Sequence, residues 1–489
     1  MPYEDLREFI KDLERNDELI RVSSKVSPIL EITEIADRMM KMPKGGKALL
    51  FENVEGYEGI PVLINAFGSE KRMKMALGVK NFEDIGWKLY RIVKPEIPNT
   101  FLEKLKKLPE LKKLNDALPT VVKDGKCKEV IKKGDDINIF DFPVLKCWPK
   151  DGGRFITLPI VISKDPENGI RNVGMYRIQL IDRDKVTVHW QIHKGGSHHY
   201  WKAKRLGQKI PVAIVIGADP VITYCASAPL PDDVDEFLFA GIIREKGVKL
   251  VKCETVPLEV PADAEIVIEG YIDPSEPLHD EGPFGDHTGF YTPVDKYPLM
   301  HITCITHRKD PIYQTTIVGK PPMEDGWLGK ATERIFLPMV QFNLPEIVDY
   351  NLPIAGCFHN FAFVSIKKRY PGHAFKVINA LWGLGQLMFE KNIVVFDDWV
   401  NVQNIDEVLW IWGNNVDPSR DIIIQKGVID VLDHSTNYPG FGGKMGIDAT
   451  TKWKEEGYLR EWPEVATMDE SIKKKVLPVW EEVLQKMLK

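Results

Sequence analysis

Between residues 121 and 310 the chain is a succession of short, β-branched runs separated by turn residues, and this pattern limits its fold more tightly than anything else in it. The runs lie at 158–163, 172–182, 185–191, 211–217, 264–272 and 300–306. Strands of this length at this spacing cover their apolar faces by forming a β-barrel or a sandwich. The most apolar stretch, 210–228, is rich in β-branched residues and interrupted by Asp219 and Pro220, which predicts two buried strands.

The flanks read differently. Leu6, Phe9, Ile10 and Leu13 recur at helical spacing among charges, which predicts an amphipathic first helix. Apolar runs at 48–51 and 61–66 predict strands, and the charged, leucine-bearing segments of 82–114 predict helices, so residues 1–120 make an α/β unit. Beyond residue 311, helical patterns at 330–341, 373–390 and 406–412 alternate with a buried-strand run at 392–396, giving a second α/β unit over 311–489. Three units also match the 489 residues of the chain at roughly 150 per domain. The expected class is α+β multidomain, a β-barrel flanked by α/β parts. In the last segment Ile472, Val476, Trp480, Val483, Leu484 and Met487 fall near one helical face, with Pro478 predicted to kink the helix or to mark its start. Such a stripe needs a cover, from its own domain or from a second subunit.

Charge and cysteine usage narrow the class. With 65 basic and 71 acidic residues the net charge is -6, so no global attraction to nucleic acid or to an anionic membrane is expected. Six dispersed cysteines form no C-x-x-C pair, which disfavours a zinc knuckle and a disulfide scaffold and fits a reducing cytosol. The first 18 residues are charged throughout and lack the apolar core of a secretory signal, and no run is apolar enough for a transmembrane segment, so a cytoplasmic location is expected.

Chemistry concentrates in the middle unit. Arg177 ends the string Asn172-Val173-Gly174-Met175-Tyr176-Arg177 on a predicted strand, where an arginine among apolar residues is either paired at the surface or aimed at an anion. Strict alternation there would point Asn172 and Arg177 to opposite faces unless a bulge intervenes. The segment 189–205 holds His189, His193, His198 and His199, four of the 11 histidines, without the glutamate pairing of a zinc helix. Lys194-Gly195-Gly196-Ser197 is a basic, flexible turn whose N–H groups suit a phosphate, although it is neither a P-loop nor G-x-G-x-x-G. The string 280–289, DEGPFGDHTG, sets Glu281 and Asp286 in a Gly/Pro turn beside a histidine. Two carboxylates in unequal environments separate in proton affinity, and the protonated one becomes an acid; the alternative is an ordinary acidic surface loop.

Read in order, NVGMYR, HWQIHKGG, DEFLFAG after PLPDD, EGPFGDHTGFY, IYQTTIVGKPPMEDGWLG, PEIVDYNLP, IKKRYPGHA, FDDWVN and GFGGKMGIDATTKW resemble the UbiD family of carboxy-lyases over nearly the whole chain. The resemblance implies a split β-barrel that binds prenylated FMN, a divalent metal (Mn2+ or Mg2+), a monovalent cation such as K+, and a C-terminal domain that joins subunits into a dimer or a larger assembly of dimers. It implies Asn172, His193 and Glu236 as metal ligands, a mixed oxygen and nitrogen set that suits manganese or magnesium. By the same resemblance Asn172, Met175, Tyr176, Arg177, His189, Trp190, Gln191, Lys194 and Gly195 wrap the cofactor, with Lys391 reaching its phosphate. Arg177, Glu281 and Asp286 match the catalytic network, in which some members carry glutamate at the position of Asp286.

The activity so implied is non-oxidative decarboxylation of a hydroxylated aromatic acid. Arg177 would orient the carboxylate, Glu281 would hold Arg177, and Asp286, kept protonated by partial burial, would protonate the carbon. The length and the EGPFGDHTG string resemble the quinone branch more than the cinnamate branch, which implies a carboxyl-removing step of ubiquinone or menaquinone assembly. The alternatives are decarboxylation or carboxylation of a soluble phenolic acid in catabolism, and a flavin oxidoreductase in which the three charged residues have no evident role. A flavin prenyltransferase would supply the cofactor, no nucleic-acid partner is implied, and a prenylated substrate would bring peripheral contact with a membrane.

Overall fold

The computed structural model describes residues 3–94, 112–191, 195–231 and 234–487. The first helix, Leu6–Arg15, starts where the Asp5 side chain accepts from Glu8 N, and it buries Leu6, Phe9, Ile10 and Leu13 as its spacing predicts. It packs on a four-stranded sheet ordered Leu19–Val22, Ala48–Phe51, Val62–Ile64 and Tyr313–Gln314. The last of these strands returns from beyond residue 310, and the helix shares one core with the middle unit through Ile160, Ala213 and Val215.

The middle unit is a nine-stranded antiparallel sheet that curls into a half-barrel. Its path runs Phe155–Ile156, Ile178–Asp182, Lys185–Val188, Leu299–His307, Ile266–Ile272, Ile210–Ile216, Ile160–Lys164 and Arg171–Gly174, with Val130–Lys133 alongside Leu299–His307. Arg171–Gly174 therefore sits at one end of the path and Ile178–Asp182 beside the other. Gly174 and Ile178 are four Cα steps apart, a span of at most about 14 Å, so the two ends must lie close together. The curl is thus forced by the sequence separation, and Met175, Tyr176 and Arg177 bridge the seam. The single strand expected over 172–182 is two strands on opposite sides of that seam.

Ile210–Ile216 is buried on both faces, with Ile210, Val212, Ile214 and Ile216 in one core and Ala213 and Val215 in the other, which is why it reads as an unbroken apolar run. The second strand expected in 210–228 is instead the helix Pro220–Cys225: Asp219 caps it by accepting from Val221 N, and Pro220 takes the first turn, where no N–H is needed.

The C-terminal unit is a five-stranded sheet ordered Ile347–Asn351, Phe361–Ile366, Asn392–Asp397, Phe441–Asp448 and Ile422–Val428, with parallel pairing in the middle and antiparallel pairing at both edges. Apolar clusters cover both of its faces, built around Val364 and Val395 on one side and Val394 and Phe396 on the other. The terminal helix Glu470–Met487 is continuous through Pro478 and buries none of its residues, with Trp480 53% exposed. Its own domain therefore does not cover the stripe. No helix among the described residues is long and apolar enough to cross a membrane.

Candidate active site

The seam leaves the edge strand Arg171–Gly174 with unpaired backbone, and a helix end is anchored against it. Arg171 pairs with Asp235 at 2.8 Å and with Glu259 at 3.1 Å. Asp235 in turn accepts from Phe237 N at 2.8 Å and caps the helix Glu236–Arg244. Glu236, the first residue of that helix, accepts from Val173 N at 2.9 Å, so the edge amide is satisfied by a carboxylate instead of another strand. Asn172 and Glu236 line one cleft of about 390 Å³, together with Met175, Tyr176, Arg177 and Asp286. His189, Gln191 and Gly195 line it as well. Alternation along one strand would have separated Asn172 from Arg177; the break at the seam turns both into the cleft.

At the Asn172 end the donors suit a hard divalent cation. Burial pushes the Glu236 carboxyl up to about 8, and among the described residues it forms no ion pair, so it lacks the positive charge that a buried carboxylate requires. Gly195 approaches so closely that a Cβ there would lie 2.2 Å from Asn172 Oδ1. No three His, Cys, Asp or Glu side chains gather as a metal site among the described residues. Of the set implied by the sequence, one member is an amide, and His193 lies outside the described residues, as does Lys194. The helix Gly195–Leu206 opens onto the same cleft with two glycines, and its N-terminal N–H groups suit a phosphate. His189 Nε2 and Trp190 Nε1 are buried without a hydrogen-bond partner among the described residues, as expected where a polar cofactor supplies one. Trp190 lines an adjoining cavity of about 630 Å³ that shares Arg177, His189 and Gln191 with the cleft and continues past Phe290, Tyr291 and Tyr297. These residues fit a flavin phosphate and its cation. Lys391 is not brought to the cleft: its Nζ lies 2.8 Å from Asp433 and 2.6 Å from Ser435 Oγ.

At the other end Arg177 is almost fully engaged. Its Nε and Nη2 donate to the two oxygens of Glu281 at 2.8 and 3.1 Å, its Nη1 donates to Asp286 Oδ2, and its guanidinium stacks 4.6 Å from the Phe284 ring centre. The surface alternative for this arginine is excluded, since its side chain is 10% exposed. Glu281 closes the strand His279–Glu281, Phe284–Gly285 opens the next hairpin, and Gly282, at φ +96°, makes the bend between them that aims Glu281 and Asp286 at one guanidinium. Glu281 also takes a bond from His189 Nδ1 at 2.9 Å. Burial alone would raise the Glu281 carboxyl, but the His189 hydrogen bond and the Arg177 charge outweigh it and hold it below its ordinary value. Burial and the Arg177 charge push His189 down, so it is neutral and donates from Nδ1.

Asp286 corrects an expectation. The sequence reading kept it protonated by burial, yet the His287 hydrogen bond and the charge of Arg177 overcome burial and hold it well below the carboxylate range. It is an anion here, with Oδ1 accepting from His287 N at 2.8 Å and from His287 Nδ1 at 3.0 Å. Burial works against charge on His287 too, but the Asp286 hydrogen bond and carboxylate raise it to about 9. Sequence reasoning gave roles to neither His287 nor Asp325. His287 was visible inside DEGPFGDHTG, but its link to His359, at 3.0 Å between the Nε2 atoms, joins two units and leaves no trace in the sequence. Asp325 lines the cleft within the PPMEDGWLG string, and burial pushes it up to about 6.

Three family models match the chain in order: the 3-octaprenyl-4-hydroxybenzoate carboxy-lyase N-terminal domain over residues 10–89, its Rift-related domain over 120–321 and its C-terminal domain over 326–449. An uncharacterized protein of Aquifex aeolicus is 70% identical over 481 residues, covering 98% of this chain and 99% of that protein. Among solved structures, the closed form of vanillic acid decarboxylase from Sedimentibacter hydroxybenzoicus is 31% identical with a TM-score of 0.85, over 100% of both chains. Its open form gives a TM-score of 0.78. The UbiD-class enzyme HmfF from Pelotomaculum thermopropionicum in complex with FMN is also 31% identical, covering 95% of this chain and 98% of that one with a TM-score of 0.78. An evolved dimeric form of HmfF is in complex with prFMN and gives a TM-score of 0.76.

Proposed function

The chain belongs to the UbiD family and is a carboxy-lyase, and from that premise we propose that it decarboxylates a hydroxylated aromatic acid in a step of ubiquinone or menaquinone assembly. The observation that carries the decarboxylase reading is the cleft itself, with a buried carboxylate that forms no ion pair among the described residues and a helix N-terminus at one end, and the Glu281–Arg177–Asp286 network at the other. In the proposal Asn172, His193 and Glu236 would hold Mn2+ or Mg2+, which would neutralise the flavin phosphate. Met175, Tyr176, Gln191 and Gly195, which all line the cleft, would bind the flavin. Prenylated FMN, delivered by a flavin prenyltransferase, supplies the electron sink that the in-plane carbanion of an aromatic ring cannot provide for itself.

The remaining work falls to side chains. Glu281 fixes the guanidinium of Arg177 through two parallel bonds and cancels most of its charge. A substrate carboxylate reaches Arg177 only at Nη1, the position that Asp286 occupies. Binding would therefore exchange one carboxylate for another and free Asp286 to deliver a proton to the carbon that loses CO2. The substrate preference rests on the adjoining cavity, whose aromatic lining gives an apolar tail somewhere to lie. Likeness to a vanillic acid decarboxylase favours the second reading, a soluble phenolic acid.

The test is to produce the protein alongside a flavin prenyltransferase and to measure its cofactor mass, its manganese and potassium content, and CO2 release from hydroxybenzoates with and without a prenyl tail. Turnover of the tailed acids supports the quinone reading. Turnover of vanillate or protocatechuate alone moves the enzyme to catabolism, and flavin-dependent nicotinamide oxidation without CO2 would overturn both.

A further inference from the structure

We propose that His287 is the source of the proton that Asp286 delivers, and that His359 is a positioning residue that holds His287 in the form able to give it. The inference rests on the decarboxylase reading and concerns the two histidines, which that reading leaves without a role. It stands first on a continuous line of contacts. Asp286 Oδ1 lies 3.0 Å from His287 Nδ1, and His287 Nε2 lies 3.0 Å from His359 Nε2, with the two rings at 86° to each other. The Phe358 ring stacks on His287 at 5.6 Å and 19°, which fixes the plane of the imidazole.

Two nitrogens that face each other across 3.0 Å need one proton between them. Burial, together with the charge on His287, pushes His359 down to about 4, so it is neutral and its Nε2 is the acceptor. His287 is then the donor on that side, and the proton on its Nδ1 points at Asp286. The charges that act most strongly on His287 among the described residues are acidic: Asp286 on its own segment, Asp325 on the helix Glu324–Asn343, and Asp430 after the strand Ile422–Val428. Asp433 adds a further negative charge beside His359. The surroundings hold one cation in reserve next to a carboxylate that must act as an acid.

Decarboxylation consumes one proton for each CO2 released, since the carbon exchanges its bond to the carboxyl group for a bond to hydrogen. At rest the proton sits on His287, because Arg177 and His287 together stabilise the Asp286 anion. A substrate carboxylate at Arg177 Nη1 removes the first of these supports and sets a second negative charge beside Asp286. The His287 Nδ1–H bond then breaks as Asp286 Oδ1–H forms, leaving a neutral imidazole and a neutral acid. The acid O–H breaks as the C–H bond forms, and CO2 departs. His287, with 19% of its side chain exposed, regains its proton from water once the cleft empties. His359 lies just before the strand Phe361–Ile366 of the C-terminal unit, whereas His287 belongs to the middle unit. The tautomer is therefore fixed only where the two units meet.

The experiment uses the holoenzyme with an aromatic acid that it accepts, and the apoprotein for histidine NMR. In the parent, kcat/KM is expected to fall as pH rises through about 9, the value of the His287 imidazolium in the free site. His287→Gln should remove that limb and lower kcat by roughly 100-fold, the usual scale of a lost proton donor, with KM and flavin occupancy kept. His359→Leu, which cannot accept from Nε2–H, should move the limb at least one pH unit lower. His359→Gln, which offers an amide oxygen, should restore it. An unmoved limb in His359→Leu, or parental turnover in His287→Gln, would overturn the proposal. Nitrogen-15 histidine spectra of the apoprotein separate this from a failure of the substrate reading. If no acid is decarboxylated but one imidazole titrates near 9 and shifts in His359→Leu, the histidine pair stands and only the reaction assigned to it falls; if no imidazole titrates above its ordinary range, the proton source is lost whatever the activity.

Discussion

Replacing Asp286 by asparagine isolates the charge at the centre of the site. The amide keeps the size and the Oδ1 acceptor for His287 N, but it removes the anion that holds the His287 imidazolium and one of the two that hold Arg177. The parental imidazole is raised from an ordinary 6.5 to about 9, which links about 3 kcal/mol of stability to its protonation, the net of burial against Asp286 first and Asp325 and Asp430 after it. Without the anion, burial acts unopposed by its largest counterweight, so His287 should titrate at 6.5 or below. The sign for stability follows from both partners. The raised His287 contributes fully below pH 6.5 and loses its contribution as pH rises through about 9, while the depressed Asp286 contributes only above the ordinary aspartate value of 3.8. The variant should therefore be less stable than the parent by about 3 kcal/mol near pH 5 to 6, with the gap narrowing by pH 10 to the share that Asp286 contributes through Arg177. Chemical unfolding of the apoprotein at those pH values, with histidine NMR alongside, measures both effects. Turnover of the holoenzyme should drop by roughly 100-fold or more with flavin retained, as for loss of a general acid. An imidazole that still titrates near 9 in Asp286→Asn would assign the shift to Asp325 and Asp430 and refute the pairing on which this reasoning depends.

Glu236→Ala should lower manganese and flavin content together, since its carboxylate lines the Asn172 end of the cleft and is a proposed metal ligand; metal analysis and flavin absorbance after desalting check it, and full flavin occupancy in the variant would detach the phosphate from the cation. Gly195→Ala should act at the same point by pushing the Asn172 amide aside, with smaller losses of both. Removing residues from 469 onward should convert a dimer or larger assembly into monomers or aggregates, because Trp480, Val483 and Leu484 are not buried by any of the described residues; light scattering at low concentration decides, and an unchanged mass would mean that subunits join elsewhere.

How much of this was legible depended on whether the cause was local. The first helix and the strands at 48–51 and 392–397 follow from residue spacing and agree with the structure to within a residue or two. The run 172–182 misled because period-two alternation cannot register a three-residue crossing of the seam, where strand hydrogen bonding stops and the apolar pattern continues. Asp219-Pro220 was taken as a break between strands, although an acidic cap followed by proline is also how a helix begins. The charge of Asp286 was out of reach for a different reason. Its partners are a neighbour in sequence and Arg177, 109 residues earlier, and burial without them would have produced the protonated acid that was expected. His359 lies 72 residues after His287 in another unit, and no string in the chain connects them.

The seam also explains why the reactive groups gather where they do. In a closed barrel the edge amide of Val173 would meet another strand, and the space beside it would fill with side chains. Here that amide meets Glu236, so an unpaired strand edge becomes the reason for a buried carboxylate, which is where the proposed cation would sit. Four residues along, after the chain has crossed the gap, Arg177 enters the same cleft from the other lip and requires anions of its own, which Glu281 and Asp286 provide. The separation between the two charged ends is thus set by the length of chain needed to cross the seam. Lengthening the crossing by one residue would turn Arg177 away from the cleft while leaving both strands paired, so the three residues Met175, Tyr176 and Arg177 define the reach of the site as much as its chemistry.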